Sequence, residues 1–433
     1  MLSALGQGDI SLPEALAKIN GDPDVVLEPA HRLCFLVVHC PLPVRIRSLT
    51  PVKPSRLLLF AAIVLLQFFL FEAGLRIAGG SEAAPVFQQL FMQDPEMGGY
   101  RLKPGAKAHY KTADFETDIV INSSGTRDRE IPPKSPGERR IVVLGDSLVL
   151  SVQVQAGETF CSRLEQHLND HRASGEARYR VINAGVQGYG PVEELAFFEH
   201  VASRFQADVV LVGIYVGNDA MEANDSGAKI LPTESRGVPP HPTNQLEAVK
   251  RPSRWPLWLR RLTRNSMVLQ IVRMRATTLM ERFGRARPID RALTMYLPTL
   301  PPDMARGLDV SRECVRRIAT LAAGQGAKTG IILLPARFQV ADDDYGYLRA
   351  IVEDSGATLV RDAGTARFKE ALGSLGLPLM DALPALRDSP RRAGIFFKTT
   401  AHLTVTGHDV LAAGLESFLR GSGLLDENRP AKD

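Results

Sequence analysis

Ser147 and His402 are the two residues whose types together support nucleophilic acyl transfer. A serine hydroxyl is inert near neutral pH until an imidazole within hydrogen-bond reach takes its proton. Ser147 stands in the block Gly145-Asp146-Ser147-Leu148, and His402 precedes a late helical stretch. The developing oxyanion needs preorganised donors as well, and an accessible glycine N–H and an asparagine amide supply them. Two further blocks carry such residues: Asn183-Ala184-Gly185-Val186-Gln187-Gly188 and Gly217-Asn218-Asp219. Taken singly, each block is ordinary. Gly-Asp-Ser makes a turn, Asn218-Asp219 makes a helix N-cap, and a lone histidine is more often a satisfied polar residue than a base.

What gives the blocks meaning is the set of elements that position them. From Arg140 onward, short β-branched runs bounded by Gly or Pro alternate with helical stretches. The runs are Ile141–Leu144, Tyr179–Asn183, Val209–Tyr215, Gly330–Leu334 and Leu377–Met380. The helical stretches are Thr159–Leu168, Val192–Arg204, Ser311–Ala323 and Thr404–Leu419. Continuous apolar runs of this length fit strands buried on both faces. The expected fold is a doubly wound α/β domain of flavodoxin-like type, a parallel sheet with helices on both faces. In such sheets ligands collect at the carboxyl ends of the strands, where the first three blocks fall. Ahead of this domain, Thr117–Asn122 alternates like a strand and runs into the turn-like Ser123-Ser124-Gly125.

In this order and at these strand ends, the blocks resemble the SGNH hydrolase superfamily, the GDSL esterases and lipases. The resemblance covers about residues 140–420. The segment from Tyr100 to Asp128, with Asn122, Gly125, Arg127 and Asp128, is similar to the lead-in of membrane-anchored bacterial members. It implies Ser147 as nucleophile, an oxyanion hole from Ser147 N–H, Gly185 and Asn218, and His402 as general base. One departure stands out. The family usually places an aspartate two or three residues before this histidine, and here those positions are Thr400 and Thr399. Losing that carboxylate in a serine protease costs about 10⁴ in rate. A threonine hydroxyl, a backbone carbonyl or Asp381 are the alternatives for holding the imidazole.

Other chemistries fit poorly. Gly185, Gly188 and Gly190 have the wrong spacing for a dinucleotide fingerprint, and the chain has no Walker A lysine pattern. His402 and His408 are six apart, no His-Glu-x-x-His occurs, and no cysteine pair has zinc-ligand spacing. Neither a cofactor nor a metal is expected. The four cysteines are too few for a disulfide scaffold, and Cys161 and Cys314 read as buried thiols as readily as a bridge.

Leu57–Phe71 is apolar except for Gln67, and with tolerated ends the run reaches Ile77. Roughly 20 residues span a bilayer, so 57–77 is expected to be a single transmembrane anchor. Arg45, Arg47, Lys53 and Arg56 precede it, which keeps the N-terminus cytoplasmic and sends the remainder across the membrane; the resemblance to membrane-anchored bacterial members implies the periplasmic side of a bacterial inner membrane. The expected order is a weakly ordered tail (1–56), the anchor (57–77), a linker with a small β lead-in (78–139), the hydrolase domain in two parts (140–222 and 306–422) around a basic insertion (223–305), and a tail (423–433). The formal net charge is only +4, too small to argue nucleic-acid binding. It is concentrated: Lys250 to Arg291 holds twelve basic residues against Glu281 and Asp290, a local +10, so the rest of the chain sums to −6. Ala223–Thr243 reads as loop. Beyond it, Trp255, Trp258, Leu259, Leu262 and Leu269 recur at helical spacing among arginines, the pattern of a basic amphipathic helix that either caps the site or lies on anionic headgroups.

The function expected is therefore a membrane-anchored carboxylesterase acting on an acetyl or short acyl ester of a carbohydrate or lipid. Two alternatives use the same chain. An O-acyltransferase would pass the acyl group from the serine to a cell-surface glycan, and a non-catalytic binding protein would have kept the fold after losing the aspartate.

Overall fold

The computed structural model describes residues 63, 66–72, 83–97, 99–227 and 289–426. The chain divides into two units, Met1–Leu70 and Phe71–Asp433. In the first, the described residues 63 and 66–70 are helical. Most of the anticipated anchor and nearly all of the basic insertion, with both tryptophans, lie outside the described residues. Among those described, no helix is long and apolar enough to cross a membrane.

The second unit begins with helix α1 (Ala83–Leu90) and two antiparallel hairpins, β1 (Phe91–Asp94) with β2 (Gly99–Leu102) and β3 (Lys107–Lys111) with β4 (Glu116–Val120). Then comes the alternating part: β5 (Glu138–Gly145), α2 (Ser147–Leu150), α3 (Phe160–Asp170), β6 (Arg178–Gly185), α4 (Pro191–His200), β7 (Val209–Tyr215) and α5 (Asp219–Ser226). After the insertion follow α6 (Pro302–Gly324), β8 (Lys328–Leu334), α7 (Arg337–Val340), α8 (Asp342–Asp354), α9 (Ala363–Gly373), β9 (Leu379–Asp381), α10 (Leu383–Arg387) and α11 (Val405–Gly421). Strands β6-β5-β7-β8-β9 form one sheet in that order, every pair parallel. The order reverses at β5, which places a topological switch point between β5 and β7.

The sheet is buried on both faces because the stretches Ile141–Leu144, Val209–Ile214 and Ile331–Leu334 offer no polar side chain to either face. Val142, Leu144, Val210 and Val212 face a core shared with α4, α5 and α6, whereas Ile141, Val143, Val209 and Leu211 face one shared with α3 and α11. Thr159 and Thr404 cap α3 and α11, their hydroxyls accepting from the N–H of Ser162 and Gly407, while Pro191 and Pro302 open α4 and α6. Cys161 and Cys314 are buried unpaired thiols in opposite cores.

Three sequence expectations change. Helix α6 begins at Pro302, nine residues ahead of Ser311, since Met304, Leu308 and Val315 continue one buried stripe around Gly307. Gly307 is where α6 meets α5: a Cβ there would sit 1.7 Å from the Ala220 carbonyl oxygen. The stretch expected as loop from Ala223 begins inside α5, with Ala223 fully buried. Helices α7 to α9 between β8 and β9 were not anticipated.

Candidate active site

Gly145, the last residue of β5, has φ +156°, and a Cβ on it would meet Val149 Cγ2 at 2.3 Å. Only glycine fits where the chain leaves the strand and turns at once into α2. Asp146 caps that helix, its Oδ1 accepting from Leu148 N at 2.8 Å, and Ser147 is its first residue. Ser151 ends it in the left-handed region at φ 56°. From behind, the buried Arg127 donates to the carbonyls of Leu150 (3.1 Å), Ser151 (2.6 Å) and Val154 (2.6 Å). A guanidinium on the last carbonyls of α2 satisfies groups that helix geometry leaves open and fixes the nucleophile's turn. Burial pulls Arg127 down to about 10, still charged at neutral pH.

His402 lies at the base of a loop closed by the Phe396–Leu403 bridge and by the Phe397 N–H donating to His402 O at 3.1 Å. Its Nε2 is 3.0 Å from Ser147 Oγ, although 255 residues separate them. Its Nδ1 is 2.5 Å from Thr400 Oγ1. For Nε2 to take the serine proton, Nδ1 must carry the other hydrogen and donate it to that hydroxyl. A Ser-His pair with threonine in the orienting place results. Asp381 is engaged elsewhere, accepting from Leu383 N at 3.0 Å and pairing with Lys369 at 3.1 Å, so it does not serve His402.

The oxyanion donors divide differently from expectation. Ser147 opens α2, so its N–H has no intrahelical acceptor. Asn218 donates one amide hydrogen to Glu222 Oε1 at 2.8 Å, which leaves its second N–H, and its Oδ1 is buried without a partner. Gly185 is the correction. Its N–H donates to Asn183 Oδ1 at 3.1 Å, and it lies buried against α2, where a Cβ would come 2.4 Å from Leu150 N. In the loop that follows, Gly188 is exposed at φ +70°, and its N–H has no acceptor among the described residues. Gly188 rather than Gly185 has the amide left to offer. Tyr100 pins this loop by donating to Gln187 O at 2.7 Å.

Burial lowers His402 to about 4, so the imidazole is neutral across the physiological range. Ester hydrolysis should therefore hold its kcat/KM plateau from pH 8 down to about pH 5. An acid limb centred near 6.5, in a pH series on a p-nitrophenyl ester, would show a solvated base instead. Behind Ser147 lies an acidic group that sequence reading did not single out: Asp146, Glu193, Glu194, Asp219 and Glu222. Asp146 Oδ2 is 3.5 Å from Ser147 Oγ, and burial lifts its carboxyl to about 6.

A groove of about 480 Å³ opens beside Thr399, Thr400 and Ala401, the residues just ahead of His402, and is walled by Gly217, Leu293, Tyr296, Phe338 and Leu348 among others. A larger hollow of about 650 Å³ lies at the amino ends of β5 and β8, around Lys134, Asp208 and Gln325, and neither Ser147 nor His402 lines it. Among the described residues no group of histidines, cysteines and carboxylates has an arrangement that could hold a metal ion.

No family model and no curated protein matches the chain. Solved structures do. TesA is 12% identical with a TM-score of 0.35, over 65% of this chain and 98% of that one. The lipase/acylhydrolase of Enterococcus faecalis is 14% identical with a TM-score of 0.33, over 65% and 96%. A putative lipolytic protein of the G-D-S-L family from Desulfitobacterium hafniense DCB-2 is 11% identical with a TM-score of 0.32, over 65% and 99%.

Proposed function

We propose that the chain is an SGNH-type serine esterase that cleaves an acyl ester through an acyl-serine intermediate, using Ser147 as nucleophile and His402 as general base. The observation that carries this is the 3.0 Å contact between Ser147 Oγ and His402 Nε2 at the carboxyl end of the parallel sheet. Ser147 Oγ attacks the ester carbonyl carbon while its proton passes to Nε2. The oxyanion collects hydrogen bonds from Ser147 N, Asn218 Nδ2 and the free amide of the 186–189 loop, and the imidazolium then protonates the leaving alkoxide. Water, activated by the same imidazole, releases the acid and restores the serine. The imidazolium forms in a buried place beside a neutral hydroxyl, so turnover should be slow for this chemistry. The non-catalytic alternative drew on Thr399 and Thr400, but Thr400 gives Nδ1 its hydrogen-bond partner.

The groove bears on the acyl group. Leu293, Phe338, Leu348, Ile351 and Val352 give it an apolar wall, and its size exceeds what an acetyl group fills. The acyl chain placed there should raise kcat/KM by about fourfold per methylene, since a buried CH₂ is worth about 0.8 kcal/mol. The measurement is a p-nitrophenyl ester series from acetate to hexanoate, repeated on Leu348→Trp. A flat wild-type series, or one that Leu348→Trp leaves unchanged, would place the acyl chain elsewhere. A periplasmic position behind a 57–77 anchor belongs to the same proposal. Its support is the apolar run with Arg45, Arg47, Lys53 and Arg56 before it, and it is tested by protease accessibility in spheroplasts.

A further inference from the structure

We propose that Asp114, on the turn of the β3–β4 hairpin, is a positioning residue for the His402 base; the proposal rests on the Ser-His reading above. His402 is useful only while its ring stays aligned with Ser147, and its neighbour Thr400 is a hydroxyl on a loop whose tip, including Lys398, Thr399 and Ala401, is exposed. Exposed tips with few buried contacts are the segments that open most readily. Two groups from outside the loop grip this one. Arg337 donates to the carbonyls of Lys398 (2.9 Å) and Thr400 (3.4 Å). Asp114 Oδ2 accepts from the Thr399 N–H at 2.9 Å and from the Thr399 hydroxyl.

The hairpin is seated for this purpose by an aromatic chain. The Phe115 ring is 5.0 Å from Tyr110 and 5.5 Å from Phe397, which stands two residues ahead of Thr399. The Asp114–Thr399 and Phe115–Phe397 contacts each join residues more than 280 apart, so the turn and the loop are two separate pieces of chain docked on each other. Hydrogen bonds from the Thr399 hydroxyl and N–H also hold the Asp114 carboxyl below its usual range. Asp114 acts through Thr399 and Thr400: it fixes the backbone from which the Thr400 hydroxyl reaches Nδ1, and so fixes the tautomer and tilt of the ring. It does not touch the reacting atoms. The bland alternative is a surface contact that merely ties the hairpin down.

Kinetics on the full-length protein separate the two. Asp114→Ala should lower kcat about ten- to a hundredfold at unchanged KM, the scale on which small misplacements act. Asp114→Asn keeps an acceptor oxygen for both Thr399 donors and should recover most of that loss. Asp118→Ala, an exposed acid of the same hairpin bonded to His109, should change neither constant. The proposal is overturned if Asp114→Ala matches Asp118→Ala, or if its kcat falls only in step with the folded fraction. A second readout does not depend on turnover. With ¹⁵N-labelled histidine, His402 should show the Nδ1-protonated tautomer in the wild type and in Asp114→Asn, and a mixture in Asp114→Ala. An unchanged tautomer in all three overturns the proposal. Loss of the esterase reading looks different: wild-type hydrolysis no higher than that of Ser147→Ala, with the tautomer result still decisive for Asp114.

Discussion

Ser147→Ala and His402→Ala will each reduce p-nitrophenyl acetate hydrolysis to the background rate, a loss of about 10² or more in kcat/KM. The size follows from what this site lacks. In a serine protease with a full triad, removing the nucleophile costs about 2 × 10⁶ in kcat, and removing the aspartate alone costs about 3 × 10⁴. A site that begins without the carboxylate has roughly 10² of that advantage left to lose, plus whatever Thr400 restores by holding Nδ1. Because serine and imidazole act as one unit, the two losses should not add, and Ser147→Ala/His402→Ala should be no slower than either single variant. Far-UV circular dichroism on each variant separates loss of chemistry from loss of fold. If either variant in folded form kept more than a tenth of the wild-type rate, the 3.0 Å contact would not be the catalytic one. A double variant much slower than both singles would mean that serine and histidine serve different steps.

The sheet was legible because a doubly buried strand leaves a strong trace: Val209–Tyr215 has no polar side chain before its terminal Tyr215, and it forms β7 with those same bounds. Ser147 and Asn218 were legible as candidates because their blocks punctuate strand ends, and His402 because it stands just ahead of the last helix. Gly185 was misassigned for a reason that no spacing reveals. Which amide in Asn183–Gly188 is free depends on where the Asn183 side chain turns, and it turns back onto Gly185 N. Arg127 was visible as part of a lead-in, but its hold on the carbonyls of Leu150, Ser151 and Val154 appears only once the hairpins are laid against α2. Asp114 gave no signal at all. It reads as a turn residue, and the threonine it binds is 285 positions away. The sequence analysis gave no reading of the helices between β8 and β9, where three successive acids, Asp342 to Asp344, stand in the first turn of α8 and suit its N-terminus.

Stability should fall as pH rises from 6.5 to 8, and Glu194→Gln should remove much of that fall. Helices α4 and α5 bring Glu193, Glu194, Asp219 and Glu222 together in their first turns, behind the Asp146 cap. Both Glu194 oxygens, Asp219 Oδ1 and Glu222 Oε2 are buried without a hydrogen-bond partner. Two helix N-termini offer partial positive charge, which offsets some of the repulsion. Burial still dominates: it raises Glu194 and Asp219 well above the usual carboxylate range and Glu222 to about 8, with the neighbouring acids adding to each shift. A carboxyl whose folded pKa is raised stabilises the fold below its unfolded value near 4.3, and that contribution is lost as pH climbs through the folded value. Over this window the folded state binds more protons than the unfolded chain, so the slope of stability against pH is negative. The buried histidines run the opposite way. His402 and His408, lowered to about 4 and about 3, cost stability as pH falls through the unfolded value near 6.5, and from 6.5 to 8 they return only about 0.4 kcal/mol each, less than the acids remove. Urea unfolding at pH 6.5 and 8 measures the difference. Glu194→Gln places a neutral amide where a charge would be forced, and should add about 1–3 kcal/mol at pH 8, the usual cost of a buried unsatisfied polar group. Stability that rises from 6.5 to 8, or a Glu194→Gln variant less stable than wild type at pH 8, would mean that these acids are ionised and solvated in the folded protein.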